Sequence, residues 1–507
     1  MNDRSEMGLE DCEVQKIDDK GALETIQHWA DLHSGFSKDA GVRLNKALSQ
    51  MTFDAGAKSW GVQTGQYLSR VIMPESPALV YQIHCTGPEY PEPRHEVLKV
   101  GWEVYRLMSW KEFDSTEQFL ERCYKDPKTE GESLKKRSVK ERRVEDFNHQ
   151  ASVSVSREIL NPQALASRRQ QESSTPPLIK RQDEDIKVAN MVYNGTTTAF
   201  YQLIKRPSIG VVVIPTHSVN QTAEVTVLID GFQKLYDIGV RNVILDMTNN
   251  GGGYVNFAYD LVDWMFPNQT RTSVYRSDLR ASMSVKALAR EDLAQEDYNG
   301  YFNPDSYTDP DTDEVYMTNF FMQDRIQKRA KRPTDYTPLV FMNHNLGSFE
   351  MDMPWQHDAE RIVVLTDGAC GSACGMTLNR LKNRHNVKTY AVGGRQGEAL
   401  SMFSFAGASV YPLDALLVDF ESLGVDSPMQ DMKYKGTYRV PVMEFFQEDD
   451  PLPVEYNPKL YAADFHLDYT PLTARNHELL WETIANNHWK EGNPGAGDDP
   501  SIETPNV

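Results

Sequence analysis

RIVVLTDGACGSACGMTLNRLKNRHNVKTYAVGG, residues Arg361–Gly394, is the stretch that decides the fold. Ile362-Val363-Val364-Leu365 is an unbroken apolar run of the length of a strand buried on both faces. Asp367-Gly368 is a turn signal that stops it. Ala373, Met376, Thr377 and Leu381 recur at the three-and-four spacing of one helical face, so a helix is predicted to begin beside Ser372. Val387–Val392 is a second strand, ended by Gly393-Gly394. This order of strand, tight turn, helix and strand puts a serine among helix-terminal N–H groups that have no partner inside the helix. Such groups can hold an oxyanion after the serine attacks a carbonyl. Serine is also a favoured helix cap, and from this stretch alone both readings of Ser372 stand.

The chain before it repeats the same unit. Ile209–Ile214 reads as a strand, and Val225, Leu228, Ile229, Phe232, Leu235 and Tyr236 mark an amphipathic helix after it. Val243-Ile244-Leu245 is the next strand, stopped by Asp246-Met-Thr-Asn-Asn-Gly251-Gly252-Gly253. Phe257, Ala258, Leu261, Val262 and Met265 are the next helical face, closed by Pro267. Such alternation predicts an α/β core on a largely parallel sheet. Residues from about 271 to 339 break the rhythm as an insertion. Within it DPDTDE (309–314) spaces its aspartates like a calcium loop but lacks that loop's glycine and its downstream glutamate spacing, and reads as an exposed turn. Ala399–Val418 reads as further strands.

The outer parts differ in composition. Cys12–Ile17 reads as a strand, Asp18–Gly21 as a turn, and Ala22, Leu23, Ile26, Trp29 and Ala30 as one helical face. Leu79–Gly87 and Glu96–Leu107 look like further strands, so residues 1–123 are expected to form a small α+β module. Residues 124–190 carry a basic run (Lys135, Lys136, Arg137, Lys140, Arg142, Arg143) diluted by Glu141, Glu145 and Asp146, and read as a charged linker. The core is expected over 191–490 and a disordered tail over 491–507.

Composition is that of a globular protein, 40% hydrophobic and 25% charged over 507 residues, enough for two or three domains. No apolar run approaches the roughly 20 residues that cross a bilayer, and the first fifteen residues are not a secretory signal. A net charge of −20 argues against nucleic acid or an anionic membrane surface as partner. Five cysteines in so long a chain do not make a disulfide framework. The sequons at Asn194, Asn220 and Asn268 neither require nor exclude secretion, and compartment stays open.

Chemistry concentrates in two loops. Asn249-Asn250-Gly251-Gly252-Gly253 lies between a strand and a helix, where glycines let the backbone approach a ligand and turn N–H groups outward. It is neither G-x-G-x-x-G nor a P-loop, so nucleotide binding has little support. A second loop offering N–H groups beside one carrying Ser372 is what acyl transfer requires. Cys370 and Cys374 flank the serine; a metal would need two further ligands that no Cys or His pair supplies, so packing is the favoured reading. Those cysteines also stand where a lipase-type G-x-S-x-G would have glycines.

LTDGACGSACG around Ser372, VILDMTNNGGGYVNFAYDLVDWMFP at 243–267 and YAVGG at 390–394 together resemble the tail-specific, or C-terminal processing, serine peptidases, nearest the branch of the chlamydial protease-like activity factor. CEVQKIDDKGALETIQHWADLHSGFSKDAGVRLNKAL also resembles that branch, so the likeness spans most of 8–418. The resemblance implies a crotonase/ClpP-like α/β core of repeated ββα units, with a PDZ-like region within the N-terminal module. It implies Ser372 as nucleophile, an oxyanion hole from the N–H groups of Ala373 and of Gly252 or Gly253, no metal and no cofactor. A protein or peptide substrate, a homodimer and an extracellular setting are compatible with it. The branch's general-base histidine stands in a His-Asp-Gly-His signature that these 507 residues do not contain. The N-terminus is therefore expected to be incomplete relative to the family. The other branch uses a lysine about 25 residues after the serine, where this chain has Arg395-Gln396-Gly397-Glu398; Lys382 and Lys388 are too near. His217, at a sheet end, is the local candidate for the base. Glu455, in a Pro-x-Glu-aromatic pattern, is the candidate orienting carboxylate, with Glu444 its competitor. The function expected is serine endopeptidase; the alternative is a non-catalytic relative that binds extended peptides or apolar ligands.

Overall fold

The computed structural model describes residues 12–102 apart from 36, 73, 88 and 89; residues 115–118; and residues 186–489 apart from 268–274, 296–300, 317–324, 330–331, 343–350, 405–409, 429–438, 448–449 and 451. The basic run of the linker and the tail from 491 lie outside the described residues.

The described residues of the N-terminal region combine strands and helices. Strands β1 (Cys12–Ile17), β2 (Lys20–Gly21), β5 (Ala78–Gly87) and β6 (Tyr90–Gly101) form a sheet in the order β2-β1-β5-β6. Cys12 stands opposite Cys85 across β1 and β5, and the two are joined as a disulfide. Between them in sequence lie helix α1 (Ala22–His33), helix α2 (Ala40–Ala47) and the hairpin β3 (Gln50–Asp54) and β4 (Ser59–Gln63). The periodicity of the sequence marked α1; α2 and the hairpin were not anticipated. Asp39 starts α2 by accepting the N–H of Val42, the usual service of a helix-capping side chain.

The core is a seven-stranded mixed sheet: β7 (Ala189–Asn194), β8 (Ala199–Leu203), β9 (Ile209–Val213), β10 (Asn242–Asp246), β11 (Ile362–Thr366), β12 (Lys388–Val392) and β13 (Phe465–Leu467), in the order β13-β12-β11-β10-β9-β8-β7. Strands β9 to β13 run parallel, while β7, β8 and β9 pair antiparallel. Every residue of β9, β10 and β11 is buried, as the unbroken apolar runs require. Alternate residues serve opposite faces. Val243, Leu245, Ile362 and Val364 pack under helices α3 (Gln221–Asp237), α4 (Val255–Met265) and α5 (Ala373–Asn383). Ile244, Val363 and Leu365 pack against helix α6 (Glu478–His488) and Phe53 of the module.

Two readings change. The apolar run near 410–418 is a short strand, Val410–Pro412, followed by a helix, Leu413–Ser422, because a run of that length does not by itself distinguish strand from helix. Cys370 and Cys374, read as thiols that pack, are joined as a disulfide: the turn into α5 brings their Cα atoms to 5.2 Å, a separation a disulfide spans. With Cys12–Cys85 it accounts for four of the five cysteines, and Cys123 lies outside the described residues. Asp309 closes the DPDTDE segment as an exposed turn by accepting the N–H groups of Asp311 and Thr312. No described helix is long and apolar enough to cross a membrane.

Candidate active site

Four adjacent parallel strands end on one edge of the sheet, and the segments that leave β9, β10, β11 and β12 there form the site. In open α/β sheets this edge is where ligands bind.

Ser372 stands immediately before α5, where the sequence placed it, with φ +50° and ψ −124°. Such a backbone is costly for a residue with a Cβ and is kept where the surroundings impose it. The cap reading is not realised: Ser372 makes no side-chain hydrogen bond to the helix start, whereas Asn220 caps α3 by accepting from Ala223 N–H. Ser372 is partly exposed, between buried Gly371 and buried Ala373. The N–H of Ala373, at the first helical position, has no carbonyl available inside α5.

The glycine loop lies directly against this turn. Asn250 O accepts from Gly371 N–H at 3.1 Å. A Cβ added to Gly252 would come within 2.3 Å of Gly371 O and 2.9 Å of Ser372 Cβ, and one on Gly253 within 2.1 Å of the backbone of His217 and Ser218. These glycines have φ of +97° and +154°, so close approach and backbone conformation both demand glycine. The two candidate oxyanion donors are not equivalent. Gly252 N–H donates to Asn250 Oδ1 at 2.9 Å. Gly253 forms a parallel bridge with His217 through Gly252 O and Tyr254 N, and in that pattern its own N–H points away from the bridge.

His217 is beside the glycine loop but not poised as a base. It is fully buried. Asn250 Nδ2 donates to Ile214 O at 2.8 Å and approaches His217 Nδ1 at 3.0 Å. On the other side His217 Nε2 lies 3.1 Å from Thr377 Oγ1, which itself donates to Ala373 O. This network assigns the proton to Nε2 and leaves neither nitrogen free for Ser372. Burial pushes the imidazole pKa down to about 4, against a smaller raising effect of the Asn250 bond. His217 is therefore bracketed between the glycine loop and α5 with both ring nitrogens engaged.

Glu455 sits in a single helical turn, Val454–Tyr456, and its side chain lies outside the described ones. Glu444 stands opposite Asp278 on the strand pair Arg276–Leu279 and Met443–Phe446. Lys382 is ten residues along α5 from Ser372, about 15 Å at the helical rise, and lies 3.8 Å from Asp464. Arg395 pairs with Glu398 at 3.6 Å within the turn after β12.

Two clusters escaped the sequence reading. Asp367 Oδ1 accepts the N–H groups of both Asn249 and Ala369, tying the two loops to one carboxylate. At the end of β10 the buried Asp246 accepts from His477 Nε2 at 2.8 Å, Trp481 Nε1 at 2.7 Å and Thr248 Oγ1 at 2.8 Å, while Trp60 of β4 stacks on His477. Burial would raise the Asp246 pKa, but His477 and these bonds outweigh it and hold the carboxyl below its ordinary value. An aspartate at a strand end before a glycine-rich loop was the only signal available in sequence.

Residues 208–402 match the model of peptidase family S41, the family of the tail-specific serine peptidases that the serine and glycine motifs resemble. No curated protein matches the chain. Among solved structures it is similar to mature CPAF complexed with lactacystin, at 12% identity over 94% of this chain and 77% of that one, with a TM-score of 0.43. It is also similar to a putative peptidase from Parabacteroides merdae, at 11% over 64% and 74%, TM-score 0.32. A third is the photosystem II D1 C-terminal processing protease, at 15% over 51% and 42%, TM-score 0.24.

Proposed function

We propose that the chain is a serine endopeptidase whose nucleophile is Ser372 and whose oxyanion donors are the N–H groups of Gly253 and Ala373. The observation that carries this is Ser372 itself: a left-handed residue at a helix start, its side chain unused by the helix, against a glycine loop that leaves no room for a Cβ. In the reaction Ser372 Oγ bonds to the carbonyl carbon of the scissile peptide and passes its proton to a base. The carbonyl oxygen becomes an oxyanion held by the two N–H groups. Collapse breaks the C–N bond, the amine leaves with a proton, and water releases the acyl group from Ser372. Each oxyanion donor of this kind is worth about 10²–10³ in kcat. The substrate is a protein or peptide. The base is a group other than His217.

A fluorophosphonate probe tests this reading. Wild type should label and Ser372→Ala should not; equal labelling of both would refute it. The bracketed, neutral state of His217 favours a second reading, a non-catalytic pocket for extended peptides. It expects neither labelling nor cleavage, with peptide affinity unchanged in Ser372→Ala.

A further inference from the structure

The glycine loop is held from outside the core. Its first residue, Asn249, has φ +54°, a conformation that asparagine tolerates at some cost. Every polar group of its side chain is spent on the N-terminal module. Lys46 Nζ on α2 donates to Asn249 Oδ1 at 2.6 Å. Asn249 Nδ2 donates to Thr52 Oγ1 at 3.1 Å on β3 and to Gln63 Oε1 at 2.8 Å on β4. Thr52 Oγ1 in turn donates to Gln63 Oε1 at 3.1 Å, so the acceptor and both amide hydrogens of Asn249 each meet a side chain of the module.

Helix α2 is itself seated on the same edge of the sheet. Asn45, next to Lys46, donates to Asp367 O at 2.8 Å and Val392 O at 3.0 Å and accepts from Gly394 N–H at 2.7 Å. Gly41 lies so close to the core that an added Cβ would meet Leu400 Cδ1 at 2.7 Å. The module thus grips the ends of β11 and β12 with one residue and the glycine loop with the next.

We infer that Lys46, Thr52 and Gln63 position the oxyanion loop through Asn249, so that the N-terminal module is a working part of the catalytic site. This rests on the serine peptidase reading and extends it. Asn249 precedes Gly252 by three residues, and Gly252 lies so near the serine turn that an added Cβ would stand 2.9 Å from Ser372 Cβ. A rotation of the loop about Asn249 therefore displaces Gly252 and Gly253 relative to Ser372. Misplacement by about 1 Å costs on the order of 10²-fold in rate. These are positioning residues, since none of them touches the reacting atoms.

The test uses the full chain and variants that separate positioning from attachment. Asn249→Gly keeps the left-handed backbone and removes all three side-chain bonds; Lys46→Met removes one, and Lys46→Arg is the conservative rescue. Lys58→Met is the control: Lys58 Nζ also bridges module and core, at Thr196 O (2.9 Å), but away from the glycine loop. Asn249→Gly and Lys46→Met should lower the rate of fluorophosphonate labelling at Ser372 by about 10-fold or more. Peptide hydrolysis should lose kcat rather than gain KM, the thermal midpoint should stay within about 4 °C, and Lys46→Arg should recover part of the rate. Lys58→Met should label like wild type. Amide hydrogen exchange over residues 250–253 should quicken in Asn249→Gly and Lys46→Met only. Labelling within twofold of wild type, or unchanged exchange in the loop, overturns the inference. If wild type itself fails to label, the peptidase reading has failed, and the exchange measurement still decides whether these residues set the loop.

Discussion

The two loops of the site follow neighbouring strands in register, Asp246 beside Leu365, yet are fixed by different means. The serine turn is stapled: the Cys370–Cys374 disulfide closes it, and Ser404 donates to Gly368 O and Cys370 O. The glycine loop has no covalent tie. Asn249 is held by Lys46, Thr52, Gln63 and Asp367, and Asn250 by Ile214, Gly252 and His217. The serine turn is thus set by local chemistry and the glycine loop by long-range hydrogen bonds. The lesson is that changes distant in sequence should reach the glycine loop far more readily than the serine turn.

Gly253→Ala attacks that contrast most severely. Its Cβ would stand 2.1 Å from the His217 backbone, so the loop must move, and the Ser372 labelling rate should fall by about 10²-fold or more. A rate within threefold of wild type would remove Gly253 from the oxyanion hole.

His217 gives a subtler test, through pH. Buried, it titrates near 4, against about 6.5 in an unfolded chain. Between these values the unfolded state binds more protons than the folded one. The stabilising contribution of the neutral imidazole is therefore complete above about pH 6.5, falls as pH drops toward 4 and is exhausted below it. The span corresponds to on the order of 3 kcal/mol. Denaturant unfolding of His217→Gln should show a flatter pH dependence over that interval; an unchanged slope would place the titrating group elsewhere.

The smallest expected effect comes from the staple. Replacing Cys370 and Cys374 together by serine opens a short loop, worth about 2 kcal/mol in the chain-entropy account. Thermal unfolding should register that loss, while exchange at residues 250–253 should stay as in wild type. Faster exchange there would show that the two loops are one mechanical unit.

Where the sequence was legible, the reason is local periodicity. Strands β9, β10 and β11 and helices α3, α4 and α5 each carry their own apolar pattern, and Ser372 and the glycines stand out because loops between such elements are short. The grip on Asn249 was not legible, because Lys46 lies 203 residues away and a lysine on a mixed-polarity helix carries no mark of what it faces. Asp246 was noted as a strand stop, but its partners His477 and Trp481 lie 231 and 235 residues further on. The cysteines misled because four-residue spacing is compatible with packing until the turn geometry at Ser372 is known. His217 was placed correctly at a sheet end; what it bonds there depends on Asn250 and Thr377, from two other segments.

The wiring of Asn249 and Asp246 also sets an order of events during synthesis. The strand and loop at 242–253 leave the ribosome long before Trp481 does, and the hydrogen bond from Trp481 to Asp246 spans 235 residues. A nascent chain carrying the serine turn therefore still lacks the helix that fastens the strand beneath its neighbouring loop. The strand beneath the glycine loop is therefore fastened only after synthesis has passed Trp481.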